Sequence, residues 1–153
     1  MTFVNTLQRF RHNLASRFSS AEWLEAIDFS KFMIAGGCVI SSLCNLPFPD
    51  TKEQDINLFH VSLCATDFFN DVDSTVTRLE AACSFHLKHL IKVEKFCFLS
   101  RRDVTLPSGI KLSSVTAHTA SSSDLMSHIL HNLDIDICQI AYTGKFFLSS
   151  RAS

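Results

Sequence analysis

The chain has 153 residues, 46% of them hydrophobic and 19% charged, with a formal net charge of −1. That composition excludes a disordered chain and gives one domain's worth of sequence with enough apolar residues for a core. It also supplies no global attraction to nucleic acid or to an anionic membrane, which argues against either as a partner.

The 14 Phe against one Trp and one Tyr predict a Phe-lined interior. Six cysteines, Cys38, Cys44, Cys64, Cys83, Cys97 and Cys138, stand singly in apolar contexts without a CxxC pair. They read as small buried hydrophobes in a reducing compartment, so an intracellular protein, cytoplasmic or nuclear, is expected. No stretch reaches the roughly 18 apolar residues of a membrane span, and the N-terminus lacks a signal-peptide apolar region.

In chain order, Leu7, Phe10, Leu14 and Phe18 predict an amphipathic helix, whose Arg9, Arg11 and Arg17 read as a solvated face. Ser20 is placed to cap a second helix carrying Trp23, Leu24 and Ile27. Residues 1–28 are thus expected as N-terminal helices packing on a domain over 29–153. Phe32 to Ala35 is a short apolar run halted by Gly36-Gly37, and Cys38 to Cys44 fits a short buried helix. Asn45 to Glu53, with Pro47 and Pro49, reads as a loop. Ile56 to Leu63 reads as a central strand with both faces covered.

Asp67 begins a predicted helix through about Leu90, carried by Val72, Val76, Leu79, Cys83 and Leu87. A strand is expected at Phe96 to Leu99. Val104 to Leu106 and Ile110 to Val115 are expected as a hairpin about Pro107-Ser108-Gly109. Ser122 or Ser123 caps a predicted helix through Leu133, with Asp124 in its first turn. Asp134 to Tyr142 alternates as a strand, and Thr143-Gly144-Lys145 turns it into Phe146 to Leu148. The expected class is α/β (α+β): a mixed central sheet of about five strands flanked by helices.

Two blocks resemble the DNA polymerase beta-like nucleotidyltransferase superfamily, in particular its small divergent branch in large-virus and eukaryotic proteins, often beside ankyrin repeats. One runs from Ile34-Ala35-Gly36-Gly37-Cys38-Val39 to Asp55-Ile56-Asn57-Leu58-Phe59, the other from Ile129 to Gly144 with Asp134-Ile135-Asp136 at its centre. Together they span most of residues 25–150. Three departures stand out: Asn57 holds a position that is acidic in the family, the Gly37-to-Asp55 spacing is long, and relatives continue beyond Ser153. A chain truncated at its C-terminus, a fragment or a minimal domain, is therefore expected.

The resemblance implies nucleotidyl transfer, in which two cations roughly 3.5–4 Å apart stabilise attacking and leaving oxygens. Residues two apart on a strand share a face, so Asp55 and Asn57 would point together at the metals, with Asp136 as a further ligand. Asp55, Asp134 and Asp136 are the candidate catalytic carboxylates. Gly36 and Gly37, with Ser41 or Ser42 adding a hydroxyl, are the candidate nucleoside triphosphate cradle. Mg²⁺ is the implied cofactor, its site weakened because an Asn amide carries no charge to offset the cation.

Three functions follow: a degenerate transferase fold that binds nucleotide or protein, an active Mg²⁺-dependent transferase, or an interaction module whose partner is another protein or a second copy. Three other constellations are read as ordinary structure. Cys83, His86 and His89 with Cys97 lack zinc-helix spacing and read as solvated or core-edge side chains. Cys138 with His128 or His131 has no nucleophile signature. Arg101-Arg102, with Lys92 and Lys95, reads as a solvated basic strand end, and His12, His60 and His118 are unremarkable singly.

Overall fold

The computed structural model describes residues 2–51, 54–61, 65–83, 89–90, 99–117, 140–145 and 147–149. The first helix, α1, covers Leu7–Phe18, with the Thr6 hydroxyl accepting from Arg9 N at 3.1 Å as its N-cap. Its apolar stripe buries Phe10, Leu14 and Phe18.

The second helix expected after Ser20 is instead two single 3₁₀ turns, Ser20–Glu22 and Leu24–Ala26. Trp23 explains the break: its indole Nε1 donates to Phe18 O at 2.8 Å and its ring is buried. Satisfying the end of α1 and burying the largest side chain outweighs continuing a helix. Asp28 then accepts from Ser30 N and Oγ, a turn that aims the chain into the sheet.

Strand β1, Phe32–Ala35, is fully buried and leads through Gly36 into α2, Gly37–Leu43. The end of α2 is satisfied from the N-terminal segment: Val4 N donates to Leu43 O at 2.7 Å, and α1 serves neighbouring carbonyls. Asn13 Nδ2 donates to Ser42 O at 3.0 Å and to Cys44 O at 3.3 Å, while Arg17 donates to Ser41 O, Cys44 O and Asn45 O. Cys38 and Cys44 are buried, as read from their apolar contexts.

Strand β2, Ile56–His60, is central, but its faces differ. Ile56, Leu58 and His60 are buried while Asn57 and Phe59 are half-buried, so the expected cover on both faces is complete on one only. Val61 N donates to Lys31 O, and 62–63 lie outside the described residues.

Helix α3 is described over Ala65–Cys83. His89–Leu90, expected as its end, form strand β3, paired antiparallel to β4, Leu99–Thr105. Ladder bonds to a strand distant in sequence override the local helical spacing there. The hairpin is as expected, with β4 joined to β5, Lys111–Ala117, through a turn in which Gly109 takes φ +90°. Strands β6, Ile140–Tyr142, and β7, Phe147–Ser149, close the order. The expected helix at 122–133, the strand over 134–139 and the strand at 96–98 lie outside the described residues.

The fold is α+β, with a mixed sheet of order β3-β4-β5-β2-β1-β6-β7. Among the described residues this sheet has seven strands, of which β3 was not expected as a strand, and the class is the expected α+β. Among the described strands, only β2 and β5 run parallel. One core cluster joins Phe10, Leu14 and Phe18 of α1, Ile34, Ile56, Leu58 and Leu112 of the sheet, and Phe68, Val72 and Leu79 of α3. Each such side chain contributes about 1.5–3 kcal/mol by leaving water. The Phe-rich interior is realised as ring contacts such as Phe10 with Tyr142 at 5.0 Å and with Phe147 at 4.8 Å. Among the described residues, no helix is long and apolar enough to cross a membrane.

Candidate functional site

Pairing of Ala35 with Asn57 brings the Gly-Gly turn against β2. Gly36 takes φ +95°, and a Cβ there would lie 3.1 Å from Asn57 Nδ2. A Cβ on Gly37 would lie 3.2 Å from the Gln54 side chain. The space created by the two glycines is therefore used by the chain's own amide side chains. Ser41 and Ser42 are buried inside α2; the Ser41 hydroxyl sits 3.4 Å from Thr51 Oγ1, and Ser42 Oγ has no hydrogen-bond partner among the described residues.

Asp55, immediately before β2, shares the face of Asn57. Lys111 Nζ lies 3.4 Å and Arg101 Nη2 3.6 Å from its Oδ2. A second carboxylate joins from β4. Asp103 Oδ1 accepts from Arg101 Nε at 2.9 Å and from Ser113 Oγ at 2.6 Å, and its Oδ2 lies 3.5 Å from Lys111 Nζ. Arg101 Nη2 also donates to Ser113 Oγ at 3.0 Å. Register explains the grouping: Ser113 pairs with both Asn57 and Asp103, and Lys111 pairs with Thr105, so one face of three adjacent strands collects these groups.

Burial alone would raise the Asp103 carboxyl. Hydrogen bonds from Ser113 and Arg101, with the charges of Arg101 and Lys111, outweigh it and hold the group below the ordinary carboxylate value.

Beside this network lies a cleft of about 570 Å³, within the size range of small-molecule sites. Its walls are Arg17, Phe18 and Ser19 at the end of α1, Thr51, Gln54 and Asp55 before β2, and Thr105 with residues 108–111 of the hairpin. Hydroxyls and an amide dominate, with Lys111 and Arg17 positive and Asp55 negative.

Of the residues singled out from the sequence, Gly36, Gly37, Asp55 and Asn57 come together at one corner, with Asp55 on the cleft wall. Asp134 and Asp136 lie outside the described residues, as do His86, Cys97, Cys138, His128 and His131. Arg101 and Arg102 are not a basic patch: strand alternation sends Arg101 to Asp55 and Asp103, and Arg102 to Asp73 of α3 at 2.6 Å.

Asp103, Lys111 and Ser113 had a faint signal, since Arg101-x-Asp103 and Lys111-x-Ser113 each present one face of a hairpin strand. His60, unremarkable singly in the sequence, is fully buried, with Nε2 2.7 Å from Asp71 Oδ2, Phe32 and Phe68 rings at 5.2 Å and 5.5 Å, and Nδ1 without a hydrogen-bond partner among the described residues. Among the described residues, no group of three or more His, Cys, Asp or Glu side chains is placed to hold a metal ion. No family model and no curated protein matches the chain.

Proposed function

We propose that this chain is a nucleotidyltransferase-like domain with impaired catalysis that works by binding a nucleotide in the cleft between the end of α1 and the β4–β5 hairpin. The observation that carries this reading is the state of Asp55. A two-metal transferase needs that carboxylate open toward cations, whereas here it faces Lys111 at 3.4 Å and Arg101 at 3.6 Å. Asn57, at the second carboxylate position, packs against Gly36 and brings no charge.

Binding survives the loss of chemistry because, apart from Asp55, the cleft walls are not the groups that would hold metal. Ser19, Thr51, Gln54 and Ser108 offer the donors and acceptors that ribose hydroxyls and base edges require. The buried Cys38 and Cys44 are in keeping with an intracellular, reducing compartment.

Thermal unfolding of the purified protein with ATP or GTP tests the reading. At 100 times its dissociation constant a ligand adds about 2.7 kcal/mol of stability. Thr105→Trp, which fills the cleft from an exposed wall position, is expected to abolish that gain. Absence of any shift with either nucleotide would refute nucleotide binding.

A second reading, a protein-interaction surface, is favoured by Phe3 and Leu46, which are 54% and 78% exposed and brought near each other by the bridge between Phe3 and Cys44. Concentration-dependent association that Leu46→Asp abolishes would support it.

A further inference from the structure

We propose that Lys111 is the resident cation of this site: its ammonium, between the Asp55 and Asp103 carboxylates, takes the place a divalent ion would need, so the cleft receives its ligand without a metal. Lys111 Nζ lies 3.4 Å from Asp55 Oδ2 and 3.5 Å from Asp103 Oδ2, nearly equidistant between two acids from different strands. Arg101 closes the same pair from the other side, 3.6 Å from Asp55 and 2.9 Å from Asp103. Among the described residues, two carboxylates and two cations balance in this network, leaving it no net negative charge to attract Mg²⁺.

Coordination chemistry points the same way. A Mg²⁺ ion needs oxygen ligands at about 2.0–2.1 Å in octahedral array. Drawing Asp55 and Asp103 that close around an ion would seat it against the ammonium, and like charges at such separation repel. The strand geometry leaves Lys111 little choice. Parallel pairing of β5 with β2 sets Ile56 beside Leu112 and Asn57 beside Ser113, so the start of β5 necessarily flanks Asp55. β5 thus brings a lysine and a serine to the face that carries Asp55.

The inference goes beyond nucleotide binding and stands apart from it, because the probe is Mn²⁺ alone. Paramagnetic resonance of free Mn²⁺ counts the ion bound by wild type and by Lys111→Met, which keeps the stem and removes the charge. Lys111→Gln serves if the apolar tip impairs folding, which circular dichroism reports.

Removing a cation from between two carboxylates should raise Mn²⁺ affinity at least about tenfold over wild type. The gain should disappear when Asp55→Asn or Asp103→Asn is added. Wild-type binding as tight as that of the Lys111 variants would overturn the proposal, and so would a gain that persists without both acids.

Discussion

Asn57 and Gln54 show how single residues set what this site can do. Each amide lies where a Cβ on Gly36 or Gly37 would intrude, so the glycines permit packing of the chain on itself. At Gly36 the backbone adds a second constraint, since φ +95° is strained for any L side chain. Gly36→Ala is therefore expected to destabilise the protein by about 1–3 kcal/mol, read from denaturant midpoints at unchanged slope. Gly109 takes a similar φ with open space around it, so Gly109→Ala should cost only the backbone term.

Asp103 makes a prediction in pH. Its folded carboxyl lies below the ordinary value, so the unfolded chain binds its proton first on acidification. The stability it contributes is present above the unfolded pKa, about 3.9, and is lost as pH falls through the folded value. Asp103→Asn should lower stability at neutral pH and flatten its decline in that acidic window. An acid limb identical to wild type would show that the Ser113 and Arg101 bonds do not hold the ionised form.

At the scale of elements, α2 depends on α1 for its ending. Asn13 is buried, and its amide serves two carbonyls at the end of α2. Asn13→Ala leaves them without that donor and should cost about 1–3 kcal/mol. Asn13→Asp keeps the size but replaces the donor with an acceptor and should cost at least as much. Chemical denaturation of the two variants measures both.

The same elements show what could be read from the sequence. The β1–Gly-Gly–α2 unit was legible because an apolar run, a glycine pair and a second apolar run leave few other local structures. Helix α3 was legible because Val72, Val76 and Leu79 repeat at helical spacing. The 3₁₀ turns after Ser20 were not, because the pull of Trp23 toward Phe18 O is a tertiary contact. His89–Leu90 read as helix because strand β3 exists only by pairing with β4. The charge network was hidden for a related reason. Asp55, Asp103 and Lys111 meet only once the register of β2, β5 and β4 is known, and a one-residue slip would send each to the opposite face. Arg102, adjacent to Arg101, is that opposite face, paired with Asp73 on α3.

For the whole molecule, the sheet separates two kinds of work. One face carries the apolar core with α1 and α3, and there buried His60, between aromatic rings, pairs with half-buried Asp71. The other face carries the Asp55–Lys111–Asp103–Arg101 network at the cleft. Thr105 is an exposed position of the cleft wall, so Thr105→Trp should change ligand response while leaving ligand-free stability within about 0.5 kcal/mol. The central claim is that this cleft binds nucleotide through its own side chains and not through a metal. Calorimetric titration of the wild-type protein with ATP, once in chelator and once in Mg²⁺, tests it most directly. The account predicts binding in chelator, no tighter with Mg²⁺ present; binding that appears only with Mg²⁺ and is lost in Asp55→Ala would contradict it.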